Sequence, residues 1–399
     1  MLFGDVGADA SRSARLAQVS SDLSDDYMTV QLLAAGLARI QMDQYGALWS
    51  TPLLGVGSVG LPSAWNKGVN RLWWRALESG MAQLPTHMDV FAWCTRPLGQ
   101  WPLVLGISES DRGLLLVEDG RPSAFADEAA RLAMAKDPEA ELVENRSFEL
   151  LMSTADRNAG DEAKVQENYV GLRGFLIDKA VASDLDLAAL IRRCPAKNSH
   201  GQPWVKEWFL HAYQHRPAPG VTALDVCDGC DNPLLSDKQV HCGTPGCVGN
   251  AARRTVEAMS ELYVQRQAIR RFFHDPGLAE RRIFDAVRPA LGKLMHPWWC
   301  MDAVDLAIDW DGTGRMGEGE WWAADVKDHA SAALLGRNFR WDRRADSRRR
   351  FLVLAQHRFE TRDYVADLQG AMDGRVHGVE VVGERDFIAA VLRRASERG

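Results

Sequence analysis

Nothing in the 399 residues is apolar enough for long enough to read as a membrane span. The most hydrophobic segments are broken by Gly, Pro or charge within about a dozen residues, short of the roughly 20 that a span needs. The opening segment, MLFGDVGADASRSARL, lacks the basic patch and apolar run of a secretory signal, and the expectation is a cytoplasmic protein. Cysteine is scarce and its number is odd. Of seven, four crowd between positions 227 and 247 while Cys94, Cys194 and Cys300 stand alone, a pattern that suits metal binding in a reducing compartment better than a disulfide framework. Excess positive charge is missing too. With a formal net charge of -7 the chain is no uniformly basic polyanion binder, but its positive charge concentrates in the last third, and the local field governs contact with phosphates. No block is depleted of hydrophobic residues and no repeat or low-complexity tract occurs, so the chain should fold throughout, in two or three domains.

Residues 1–215 read as a mixed α/β region of unknown role. Val30, Leu33, Leu37 and Ile40 fall at helical spacing, and Arg131 to Glu141 reads as another helix. Between them, PLVLGI and GLLLVEDG look like strands running into a turn. The spacing of Gly55, Gly57 and Gly60 matches a dinucleotide-binding loop, but Leu61-Pro62-Ser63 follows where a helix should start, so it reads as a chance match.

A Pro/Gly-rich break, Gln214 to Gly220, marks a domain boundary. A cysteine module over 220–250 follows. Cys227-x-x-Cys230, Cys242 and Cys247 bring turn formers inside both pairs, Asp228-Gly229 and Gly243-Thr244-Pro245-Gly246. Two such knuckles present thiolates to one tetrahedral ion, as in a zinc ribbon, and four filled positions make that zinc structural. His241 is an alternative ligand beside Cys242. Residues 251–276 read as a connecting helix: Val256, Met259, Tyr263, Ile269, Phe272 and Phe273 form an apolar stripe that stops at His274-Asp275-Pro276-Gly277.

The last domain, 277–399, holds the chemistry. In Val304 to Trp310 apolar side chains alternate with Asp305, Ala307 and Asp309, and after a Gly-rich turn Asp325 and Lys327 share one face of a second strand. A hairpin would bring Asp305, Asp325 and Lys327 together, with Asp309 the rival to Asp305. Two carboxylates suit Mg²⁺, which neutralises a phosphate and acidifies a water, while an ammonium steadies developing charge.

These residues resemble the PD-(D/E)xK restriction-endonuclease-like superfamily: Asp305 matches its first Asp and Asp325-Val326-Lys327 its triplet, although Ala303-Val304 rather than Pro precedes Asp305. The resemblance implies a mixed sheet flanked by helices. Leu278–Leu294 would be its first helix, a helix around His329–Phe339 would precede the strand Arg350–Gln356, and strand Val376–Val382 and helix Asp386–Arg394 would end it. It also implies roles for Glu280, an acidic residue on the entering helix, and for Gln356 at the end of the third strand. Arg337, Arg340, Arg343, Arg344 and Arg348, with Phe339 and Trp341 interleaved, form a basic stretch suited to a phosphate backbone.

The whole chain is thus expected to be multidomain α/β: an N-terminal region, a central zinc ribbon, and a C-terminal domain that cuts DNA with Mg²⁺. A ribbon ahead of such a nuclease is similar to nucleases of prokaryotic defence islands that hold Argonaute-like PIWI proteins and helicases, which implies such partners. RNA as substrate, and a DNA-binding adaptor with an inactive nuclease fold, stay open as alternatives.

Overall fold

The computed structural model describes residues 26–40, 61–133, 138–215, 223–236, 240–247, 253–257, 261–266, 269–316, 318–345, 347–372 and 377–398. The fold is mixed α/β, and it divides into two compact units that do not follow the linear order of the chain. One unit comprises Met1–Glu141, His329–Phe339 and Thr361–Asp373; the other comprises Leu142–Asp328, Arg340–Glu360 and Gly374–Gly399.

In the first unit a helix over residues 26–40 and the helix Ser63–Glu78 bury the apolar stripe read from the sequence, Val30, Leu33, Leu37 and Ile40, against Trp65, Val69 and Leu72. Two helices from late in the chain, Ala332–Asn338 and Tyr364–Met372, belong here as well. Ala333 and Leu334 join the same core, and Glu128 accepts the backbone N–H of Ala330 at 2.8 Å. PLVLGI forms no strand, and within GLLLVEDG only Val117–Glu118 does. The helix expected over Arg131–Glu141 is instead the end of one helix, Ala124–Leu132, and the start of another, Pro138–Arg157. The Gly55–Gly60 loop lies outside the described residues.

The second unit is built on a five-stranded mixed sheet in the order Met295–Trp298, Val304–Asp309, Trp321–Lys327, Arg349–Leu354, Val379–Gly383. The first three strands pair antiparallel and the last two join in parallel. The hairpin expected around Asp305 and Asp325 is present, with Leu306 opposite Ala324 and Asp309 opposite Trp321. Two helices pack together beside it, Asp275–Leu291, which ends at Gly292 with a φ of 54°, and Glu384–Arg398. Ile283, Phe284 and Val287 from the first and Phe387 and Val391 from the second meet Leu306, Ile308, Phe351 and Val353 of the sheet in one core. That core also takes Tyr169, Leu172 and Leu176 from the helix Glu162–Asp178, and Val205, Trp208 and Phe209 from Trp204–Ala212.

Among the described residues of 251–276, no single connecting helix runs through the segment. In its place stand strand Arg253–Glu257, paired with Ala223–Cys227, and strand Leu262–Gln265, central between Val181–Ser183 and Tyr213–His215. A π-helical turn, Arg270–His274, then runs directly into the Asp275–Leu291 helix. The apolar residues that mimicked one helical stripe belong to separate elements. Pro276 sits in the first turn of the helix that follows, where its missing N–H costs nothing, so His274 to Gly277 is a start rather than a stop.

The crossing of the two late helices depends on Gly336. A Cβ there would lie 2.6 Å from the Leu368 carbonyl oxygen and 2.8 Å from the Ala371 Cβ, both on the neighbouring helix. Gly336→Ala should therefore destabilise the first unit by about 1–3 kcal/mol through overpacking, read as a lower midpoint of thermal unfolding. Gly370→Ala, in open space on the partner helix, should leave the midpoint unchanged or raise it.

Candidate active site and metal centre

The first element of the site is the strand pair. On Val304–Asp309 the Asp305 carboxylate is buried and accepts the backbone N–H of Val326 at 2.6 Å through Oδ2. Across the hairpin Lys327 Nζ bonds to Asp325 and lies 3.7 Å from Asp305 Oδ2. Asp305, Asp325 and Lys327 are thus brought together as expected. Asp309 is not among them: it accepts the Gly314 backbone N–H at 2.6 Å and the Thr313 hydroxyl, which ties down the hairpin turn.

The entering helix adds Glu280, buried at 3% exposure. Its carboxylate accepts the Trp298 indole N–H and the Arg173 guanidinium, the latter at 3.2 Å. Arg173 also bonds Asp302 at 2.5 Å and lies 3.8 Å from Asp305 Oδ1. Sequence reasoning missed Arg173, Asp302 and Trp298. Asp302 stood three residues before a predicted ligand and was detectable by that proximity, whereas nothing local marks Arg173, which lies more than a hundred residues upstream of its partners.

The cluster's protonation follows from its crowding. Burial, then the Asp305 charge, pushes Glu280 up to about 8, and burial pushes Asp325 up to about 7 against the pull of Lys327. Burial raises Asp302 as well, whereas at Asp305 Lys327 and Arg173 outweigh burial and hold the carboxyl low. Fully ionised, four carboxylates would face only two cations, Arg173 and Lys327, which is why Glu280 and Asp325 hold their protons to a higher pH than ordinary carboxyls. Hard oxygen donors, crowded so that a cation would favour their ionised forms, fit a divalent ion such as Mg²⁺.

Gln356 does not join this cluster. It begins the short helix Gln356–Phe359, and its side chain donates to Glu360 at 2.9 Å and accepts the Arg385 backbone N–H at 3.0 Å. The strand Arg349–Leu354, fourth in the sheet, stops two residues short of Gln356, which has already turned away from it. Nor does the basic stretch form one free face. Arg337 lies over the Tyr27 ring at 4.5 Å in the first unit, Arg344 pairs with Asp342 at 2.7 Å, and Arg340, Arg343 and Arg348 are exposed. Phe339 is buried, and Trp341 donates to the Ala345 carbonyl at 3.0 Å, so both aromatics pack inward.

The second centre is the cysteine cluster. The Sγ atoms of Cys227, Cys230, Cys242 and Cys247 all lie within 4.8 Å of one another. Backbone N–H groups of Gly229 and Thr244 point at Cys227 and Cys242 at 3.4 Å, the knuckle geometry that favours thiolates. The Cys230 thiol, and with it the Thr244 N–H, holds Cys242 well down, to about 4. Four sulfur donors at this separation fit one tetrahedral ion and are compatible with a zinc ribbon. The His241 side chain lies outside the described residues. Asn232 donates to Asp275 at 2.8 Å and His274 Nε2 lies 2.7 Å from the Cys230 carbonyl, so the ribbon is bound to the start of the helix that carries Glu280.

No helix among the described residues is long and apolar enough to cross a membrane. No curated protein and no solved structure matched the chain. Two family models did: residues 54–183 match the domain described as pPIWI_RE three-gene island domain Y, and residues 277–399 match the one described as REase associating with pPIWI_RE. One chain thus carries a segment similar to domain Y of the pPIWI_RE three-gene island and a C-terminal segment similar to the restriction-endonuclease family described as associating with pPIWI_RE.

Proposed function

We propose that the protein is a divalent-metal-dependent endonuclease that hydrolyses phosphodiester bonds in DNA, within a prokaryotic defence system that includes a PIWI-type protein and a helicase. The observation that carries this reading is the convergence of Asp305, Asp325 and Lys327 on adjacent strands of a domain matching a restriction-endonuclease family. Asp305 and Asp325 are the residues to hold Mg²⁺; when bound, the ion neutralises the phosphate and acidifies a water. Lys327, tethered to both carboxylates and 28% exposed, can orient that water and meet the charge growing on the phosphate oxygens. Glu280 and Arg173 are sealed, whereas Lys327, Asp302 and Asp325 are partly exposed, so substrate would approach over those three. Glu280, held by Trp298 and Arg173, supports the site from beneath. Of the arginines, Arg340, Arg343 and Arg348 are exposed, which supports them as contacts to a backbone phosphate. The ribbon would hold zinc structurally, and the association with pPIWI_RE follows the description of both matched families.

The decisive experiment is cleavage of single-stranded DNA, duplex DNA and RNA with and without Mg²⁺. Asp305→Ala and Asp325→Ala should each abolish cleavage, because one remaining carboxylate cannot hold a weakly bound hard cation. Lys327→Ala should bind DNA normally while turnover falls by about two orders of magnitude or more, as for a group acting in the transition state. Asp309→Ala should keep cutting, with a lower unfolding midpoint from loss of the turn. Normal cleavage by the Asp305 and Asp325 variants would show that the chemistry resides elsewhere.

Purified protein should contain about one zinc per chain by elemental analysis, as expected of a four-cysteine site. Cys227→Ser and Cys242→Ser should each lose the ion and lower the unfolding midpoint. Full zinc retention in both would overturn the ribbon assignment.

A further inference from the structure

The carboxylate cluster contains more acid than a single ion needs, and one residue from far upstream answers it. Arg173 stands on the Glu162–Asp178 helix, inside the segment matched as domain Y rather than the nuclease segment. Its guanidinium bonds Asp302 through Nη1 and Glu280 through Nη2, and Nη2 lies 3.8 Å from Asp305 Oδ1. The other oxygen of Asp305 faces the opposite way, toward the Val326 N–H and Lys327. Asp305 therefore bridges two regions: one lined by Glu280 and Asp302, the other by Asp325 and Lys327. This is how a shared carboxylate serves a two-cation phosphodiester site, except that here the first position holds a guanidinium.

Arg173 is fixed there rather than passing through. Its side chain is 8% exposed and its guanidinium lies 5.4 Å from the Trp298 ring, whose indole N–H holds Glu280. One helical face contributes a second clamp. Gln166, seven residues earlier, donates to the Trp298 carbonyl at 2.8 Å and accepts the Met301 N–H at 2.9 Å. Along this stretch Trp298, Cys300, Met301 and Asp302 all adopt positive φ, a conformation unfavourable for a side-chain-bearing residue that persists where surrounding contacts impose it. A guanidinium cannot lose its proton under ordinary conditions, so this charge is permanent.

We propose that Arg173 is a positioning residue that permanently fills one of two cation positions in the cluster and limits the site to a single divalent ion, held by Asp305 and Asp325. The domain Y segment thereby sets the metal stoichiometry of the nuclease segment. This inference rests on the metal-site reading above, and the test separates the two.

Mn²⁺ binding to the full-length zinc-loaded chain, counted by electron paramagnetic resonance of the free ion, should give one ion per chain in the wild type. Arg173→Lys, which keeps the charge, should also bind one. Arg173→Met, checked for folding by thermal unfolding, should bind two, because Glu280, Asp302 and Asp305 are released to a second ion. One ion in folded Arg173→Met, or two in Arg173→Lys, would overturn the proposal. Should Arg173→Met not fold, the wild-type count decides: one supports the proposal and two overturns it. No Mn²⁺ bound to the wild type would overturn the metal-site reading itself, and the proposal with it.

Discussion

Acidic groups gathered on a sheet repel one another and lose hydration, and the C-terminal half of this protein is organised around relieving that cost. Glu280, Asp302, Asp305 and Asp325 meet in a space where burial alone would drive several of them to take up protons. Lys327 answers from the same hairpin, while Arg173 answers from a helix that enters from another part of the chain. The five-stranded sheet, the helix carrying Glu280 and the helix carrying Arg173 must all be in register for that balance to hold. Breaking one partner of such a buried group leaves an uncompensated charge, typically worth about 3–5 kcal/mol, so the electrostatics that suit a cation also fix the assembly.

The cysteine module solves a different problem. Its strands are short and supply few apolar side chains, so hydrophobic burial offers little, and a tetrahedral ion would replace the missing core. Its position is set by polar contacts to the Asp275–Leu291 helix and by close packing. A Cβ on Gly246, itself at a φ of 66°, would lie 2.3 Å from the His357 ring. Folding of the cysteine module is thereby coupled to the elements that carry the acidic cluster.

The chain also interleaves. Segments within the span matched as the restriction-endonuclease family, Ala332–Asn338 and Tyr364–Met372, belong to the compact unit built from the N-terminal region, while Arg173 from the domain Y span belongs to the unit with the five-stranded sheet. The two family segments are therefore not two separable globules, and the exchange goes in both directions.

What could be read locally was read. Period-two alternation placed Asp305, Asp325 and Lys327 on one hairpin, and thiol spacing with turn formers placed four cysteines together, because both patterns are set by backbone geometry over a few residues. Local reading failed where the same periodicity served two structures. Val256, Tyr263 and Ile269 fit a helical stripe, yet pairing with strands more than thirty residues away made strands of the first two. Gln356 failed by two residues of strand length, and Asp309 was told from Asp305 only when its bonds to Gly314 and Thr313 were visible. The amino-acid sequence by itself determined which side chains share a face and which cysteines gather at one point. Only the tertiary structure decided which cation meets which carboxylate, because Coulomb interactions depend on distance through space and carry no period along the chain.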